Sequence, residues 1–76
     1  MKAEDKLSIS KQVGQAIAKY RKAAGLSQAQ VAEILGLSND AISRMERGTI
    51  TLNVERLCDF ANLFHCRVSD LLTDSQ

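Results

Sequence analysis

Apolar residues along this chain recur at three- and four-residue intervals and never alternate, a pattern that predicts helices throughout and no strands. Val13, Ile17 and Tyr20, following Ile9 and accompanied by Ala16 and Ala24, mark a first helix from about Ser10 to Ala24. Ser8 or Ser10 is placed to cap its start, and Gly25 followed by Leu26 reads as its C-terminal turn. Gly14 inside this helix lowers its propensity by on the order of 1 kcal/mol relative to alanine, which suggests a close approach by a neighbour there. Ser27-x-x-Gln30 is a capping-box pattern, and Val31, Ile34 and Leu35 supply the apolar stripe of a second helix stopped by Gly36. Ser38 is a good N-cap for a third helix, with Ile42 and Met45 facing inward and Asn39, Asp40, Ser43, Arg44 and Arg47 facing outward until Gly48. After a short loop, Asn53 caps a fourth helix carrying Val54, Leu57, Phe60, Ala61 and Phe64 on one side. His65, a residue type that tolerates left-handed backbone, falls where that helix must turn out. Cys66, Val68, Leu71 and Leu72 make a last short helix. The expectation is an all-α, compact five-helix bundle: a flexible tail over 1–7, one domain over 8–73 and a C-terminal tail over 74–76.

Composition narrows the field. With 76 residues, the chain must put most of its apolar side chains into one core to be stable. No apolar run approaches the roughly 18 to 20 residues that span a bilayer, and MKAEDKLSIS lacks the apolar stretch of a signal peptide, so a cytoplasmic protein is expected, with no membrane partner. Two cysteines, Cys58 and Cys66, are too few for a disulfide framework or a four-ligand zinc site, and both are expected to be reduced and buried. Cys58, His65 and Cys66 do not have structural zinc spacing, so no metal site is expected. The chain has one histidine, at a helix end, and no glycine-rich phosphate loop. Neither nucleophilic catalysis nor a bound cofactor is indicated, and the chain is read as a non-enzyme.

The net charge of +1 hides an uneven distribution. Lys11, Lys19, Arg21 and Lys22 lie between Ser10 and Gly25 with no acid among them, whereas acids outnumber bases after Ile50. The chain is thus basic toward its first helix.

The run LSQAQVAEILGLSNDAISRMERG, Leu26 to Gly48, resembles the helix-turn-helix of lambda repressor-like DNA-binding domains of the Cro and phage-repressor type, the XRE family. Val31, Ala32, Leu35, Gly36, Leu37, Ile42 and Met45 all match its pattern. Ala32 must be small where two helices cross, and Gly36 takes the positive φ of the turn. The likeness extends from about Ser10 to Leu72. It implies that the third helix enters the major groove while the N-terminus of the second faces a phosphate. Carried over by position, Gln28 and Ser38 would contact the phosphate backbone, with Lys19, Lys22, Arg47, Thr49 and Thr51 further candidates, against the plainer reading of a solvated surface for the two lysines. Asn39, Asp40 and Arg44 would read bases, and Ser43 is a lesser candidate. Arg44 suits guanine, Asn39 adenine and Asp40 cytosine N4, each worth roughly 1 to 3 kcal/mol of discrimination. Asp40 also repels phosphates unless it finds a cytosine or pairs with Arg44 one turn on. The resemblance further implies an ion pair between Arg21 and Glu46 that orients the third helix against the first.

Two departures from the family stand out. Ile50 and Leu52 occupy loop positions where a basic residue and a proline are usual, and Arg67 stands where a capping Ser or Thr is common. The apolar loop, with the family's habit of binding palindromes as two-fold dimers, implies a homodimer through Ile50, Leu52, Leu63 and Leu71. The functional expectation is a sequence-specific transcriptional regulator of double-stranded DNA that occupies an operator and so blocks polymerase, as a repressor, or recruits it, with no small-molecule ligand. Near-neutral charge, Asp40 and the apolar loop favour an alternative, a protein-interaction module that keeps the fold and has lost the groove chemistry.

Overall fold

The computed structural model describes residues 3–72, with side chains from Ser8 onward. Five helices follow in order: α1 (Ala3–Ala23), α2 (Gln28–Leu35), α3 (Asn39–Arg47), α4 (Val54–Phe64) and α5 (Val68–Leu72). No strand occurs among the described residues, and none of their helices is long and apolar enough to cross a membrane.

α1 starts earlier than the helical spacing from about Ser10 predicted. The helix already runs at Ala3, seven residues before Ser10, so neither Ser8 nor Ser10 is its cap. Ala, Glu, Lys and Leu are all strong helix formers, and with no Gly or Pro between Ala3 and Ile9 nothing in the sequence stops the helix. Met1, Lys2 and the expected C-terminal tail over 74–76, with Thr73 before it, lie outside the described residues.

Four helices end in the same way. Leu26 N–H reaches Arg21 O, Leu37 N–H reaches Ala32 O, Thr49 N–H reaches Arg44 O and Cys66 N–H reaches Ala61 O, each closing a six-residue Schellman turn. Three of these turns place glycine at the left-handed position, whereas α4 places His65 there with φ 56°. A Cβ in that region meets the following carbonyl, so His65→Gly is expected to stabilise the domain by about 0.5 to 1 kcal/mol. Thermal denaturation checks this. An unchanged or lowered Tm would show that the exposed imidazole makes a compensating contact.

The starts are equally local. Ser27 accepts from Gln30 N–H while the Gln30 side chain accepts from Ser27 N–H, a complete capping box. Ser38 and Asn53 accept from the third N–H of α3 and α4. Arg67 has no capping oxygen, but Asp70 reaches back to accept its N–H at 2.9 Å, so α5 keeps half of a capping box.

The core is made by Val13, Ala16 and Ile17 of α1, Val31 and Ala32 of α2, Ile42 and Met45 of α3, Leu57, Phe60 and Ala61 of α4, and Leu71 of α5. Helix α1 is the central post, packed against α3, α4 and α5. Tyr20 stacks on Phe64 and Phe64 on Phe60 with centroids about 6 Å apart, tying α1 to α4. Gly14 makes the close approach its place in α1 suggested. A Cβ there would lie 2.5 Å from the carbonyl oxygen of Met45 and 2.8 Å from the carbonyl carbon of Glu46, so the backbones of α1 and α3 touch.

Several burial expectations are corrected. Val54 is 71% exposed and Ile34 is 55% exposed, because each extends an apolar stripe past the helices that cover it. Leu35, not Ile34, completes the inward edge of α2. Cys58 is exposed, one position off the Leu57, Phe60 and Ala61 stripe, and Cys66 is half-buried; both are free thiols. Burial, with Asp70 nearby, pushes the Cys66 thiol above its ordinary range.

Candidate nucleic-acid interface

Helix α3 buries Ile42 and Met45 and turns its other side to solvent. Asn39, Asp40, Arg44 and Arg47 are exposed and Ser43 is half-buried. At about 100° per residue these five lie on one face opposite the two buried residues. All the residues expected to read bases are thus on one surface. Within it, Asp40 and Arg44 are already paired, Oδ2 to Nε at 3.0 Å, with side chains 67% and 57% exposed. Asp40 sits in the first turn of the helix and Arg44 and Arg47 toward its end, the arrangement the helix dipole favours.

The seat of α3 is polar as well as apolar. Arg21 of α1 donates from Nε to Glu46 Oε2 and from Nη2 to Glu46 Oε1 at 3.1 Å, a two-pronged contact with side chains only 11% and 8% exposed. Nη1 of Arg21 donates to the Leu26 carbonyl at 2.9 Å. Gln28, the first residue of α2, adds its Nε2 to Glu46 Oε1 at 3.0 Å. One carboxylate therefore joins α1, the start of α2 and the end of α3. Its hydrogen bonds hold the Arg21 guanidinium above its ordinary pKa, with burial working the other way.

The residues expected to meet phosphate divide. Gln28 has one amide N–H on Glu46 and one left over, beside the N-terminal amides of α2. Ser38 uses an acceptor lone pair on the Ala41 N–H and keeps its own proton to donate. Arg47 makes only a long 3.4 Å contact to the Ser43 carbonyl and is exposed. Thr49 donates its hydroxyl to the Arg44 carbonyl at 3.2 Å, so that donor is occupied. Thr51 lines an apolar groove described below. Lys19 and Lys22 are exposed, but on α1 they are not equivalent: counted from Gly14, which meets α3, Lys22 stands roughly 80° round and Lys19 roughly 140°. Lys19 is on the side away from α3.

Lys11 was not among the expected contacts. A Cβ on Gly48 would lie 2.6 Å from Lys11 Cα, so this lysine stands against the end of α3 beside Thr49. The clue in the sequence was spacing: Lys11 precedes Gly14 by one turn on the same face.

The expected dimer residues also divide. Leu71 is fully buried in the core and is corrected from interface to core, because α5 packs along α1 and points Leu71, not Leu72, inward. Leu52 and Leu63 are half-buried against the same core. Ile50 remains exposed, and with Ile9, Leu52 and Leu72 it borders a small, open apolar groove that Val13 and Leu57 also line.

Comparison with known proteins agrees with this fold. A helix-turn-helix family model matches residues 17–71, from α1 to α5. Among solved structures, the clp gene regulator ClgR from C. glutamicum is similar at 25% identity and a TM-score of 0.78, covering 84% of this chain and 83% of that one. The restriction-modification controller protein C.AhdI from Aeromonas hydrophila is similar at 26% identity and a TM-score of 0.74, covering 80% of this chain and 92% of that one. The BldD DNA-binding domain of S. venezulae is similar at 28% identity and a TM-score of 0.77, covering 87% and 99%. No curated protein gave a significant sequence match. With the family model spanning most of the chain and the turn between α2 and α3 built as that family requires, this chain belongs to the XRE-type helix-turn-helix family of DNA-binding regulators, which are not enzymes.

Proposed function

We propose that this regulator binds double-stranded DNA sequence-specifically, placing the exposed face of α3 in the major groove of an operator and so acting as a cytoplasmic repressor. What carries the reading is the single polar face of Asn39, Asp40, Ser43, Arg44 and Arg47, set on a helix whose end is held to α1 and α2 by the Glu46 carboxylate. Phosphate contacts come from the α2 N-terminus with Gln28, from Ser38, Lys22 and Arg47, and from Lys11, which stands against Gly48 at the end of α3. Thr49, Thr51 and Lys19 are lesser contributors, given their geometry.

Selection from random duplexes tests this: wild type should enrich one motif, and Arg44→Ala should change it. A binder making six or more phosphate contacts loses about a thousandfold or more in affinity between 50 and 200 mM salt. A flat salt dependence with no enriched motif would instead identify a protein-interaction module built on the same fold.

The active form in this reading is a homodimer on a palindromic site, closed through the groove bordered by Ile9, Ile50, Leu52 and Leu72. Ile50→Asp, at an exposed position on the rim, is expected to sediment as a monomer at concentrations where wild type sediments as a dimer. Monomeric wild type would remove the dimer and leave the DNA reading intact.

A further inference from the structure

We infer that Asp40 reads no base itself and acts as a positioning residue that aims Arg44 at guanine. The inference rests on the DNA-binding reading above and assigns the division of labour within it.

The geometry divides the arginine. A guanidinium carries one N–H on Nε and two on each Nη. Asp40 Oδ2 lies 3.0 Å from Nε as an ion pair, so the carboxylate stands on the Nε side of the guanidinium and not at the Nη1 and Nη2 end of the fork. Both side chains are more than half exposed, so each reaches outward from the α3 face and neither is held by the core. In the major groove, guanine presents two acceptors side by side, O6 and N7. Adenine sets an N6 donor beside its N7, and that donor would face an arginine N–H. The Nη1 and Nη2 end of Arg44 therefore fits guanine. Asp40 commits one carboxylate oxygen, Oδ2, to Arg44, a pairing that competes with acceptance from a cytosine amine.

Charge gives the arrangement a second effect. A lone guanidinium is attracted to any phosphate, and a lone carboxylate is repelled by all of them. Joined, they are close to neutral, so the pair adds little to non-specific attraction while keeping a directional donor pair for one base. The acid precedes the base by four residues, the favourable order on a helix. An exposed pair is weak in water, so in the free protein it is a bias on the Arg44 rotamer. It strengthens as the groove excludes water.

Opposite effects on specific and non-specific binding are the signature. Arg44→Ala should reduce preference for guanine at one base pair by about 5- to 150-fold. Asp40→Asn should weaken preference at that same base pair by about 1.5- to 2-fold, and Asp40→Glu should restore it. On a duplex lacking the motif, Asp40→Asn should bind more tightly than wild type, with a salt slope steeper by up to about 0.9. Adding Asp40→Asn to Arg44→Ala should cost no further discrimination. In the free protein, the Arg44 ¹Hε–¹⁵Nε resonance should move on Asp40→Asn.

A changed preference at a different base pair, with guanine at the Arg44 pair untouched, would overturn the inference and make Asp40 a base reader. An Arg44 Nε resonance indifferent to Asp40→Asn would overturn it with no DNA present. Failure of wild type to enrich any motif is the separate result that overturns the DNA reading itself.

Discussion

Glu46→Ala will unfold this domain at a much lower temperature than any change on its exposed surface. The Glu46 carboxylate accepts from two nitrogens of Arg21 and from Nε2 of Gln28, and its side chain is 8% exposed. Truncating it leaves the Arg21 guanidinium, itself 11% exposed, with only the Leu26 carbonyl as partner. Breaking one side of a largely buried pair costs up to about 3 kcal/mol, because the remaining charge stays partly desolvated without its counterion. For a domain of this size that upper figure corresponds to a Tm lower by roughly 12 to 24 °C. Arg21→Ala should fall short of this, since Glu46 would keep Gln28. Replacing both, as Arg21→Met with Glu46→Leu, should recover most of the stability, because apolar side chains of similar volume often substitute for buried pairs without loss. The double variant also separates two roles. If the carboxylate orients α3, the double variant will melt near wild type and still bind its operator more weakly. Equal affinity would reduce the cluster to a stability device. Urea denaturation followed by helical signal, beside operator titration, reads both.

What could be read in the sequence was what neighbours in the chain decide. Ser27, Ser38 and Asn53 cap helices through bonds that span three residues, and Gly36, Gly48 and His65 end them through turns of six. The spacing of Val31, Ala32, Ile42 and Met45 was enough for the turn itself. Burial at the margins was harder to read, because it depends on where a covering helix stops. Val54 and Ile34 continue their stripes correctly but have nothing above them. Leu71 and Leu72 differ by one position on a five-residue helix, too short for periodicity to choose between them, and only the packing of α5 on α1 sends Leu71 inward. For the site, the outward face of α3 followed from its period. The state of that face did not, since Asp40 had three futures: a base, a phosphate to repel, or Arg44. Side-chain geometry shows the third in the free protein. Lys11 was read only as part of a basic run, because what brings it to α3 is a contact with Gly48, 37 residues along the chain.

Gly14→Ala tests the other half of α3's seat, and its sign is opposite to what helix propensity alone dictates. Alanine in the middle of α1 should stabilise by about 1 kcal/mol. At Gly14, however, the added methyl would stand 2.5 Å from the Met45 carbonyl oxygen and 2.8 Å from the Glu46 carbonyl carbon. Those are backbone atoms in the last turns of α3, so no rotamer change relieves the overlap and the two helices must part. Overpacking of this kind costs about 1 to 3 kcal/mol, and with backbone on both sides the upper end applies, leaving a net loss of about 2 kcal/mol. Parting α1 from α3 also pulls Glu46 away from Arg21, one helix turn pair further along α1, so the loss should couple with Glu46→Ala in a double-mutant cycle. Gly25→Ala is the control. Its φ of 74° strains an L residue by about 1 to 2 kcal/mol, yet a Cβ there meets nothing. The two variants should therefore lose comparable stability, measured by urea denaturation, and differ at the operator. Gly25→Ala should bind like wild type at temperatures where both are folded, whereas Gly14→Ala, with α3 displaced on its post, should bind at least about tenfold more weakly, as expected when reading side chains move from their bases. A Gly14→Ala protein more stable than wild type would show that α1 and α3 can separate freely, and that the close backbone contact does not set the position of the recognition helix.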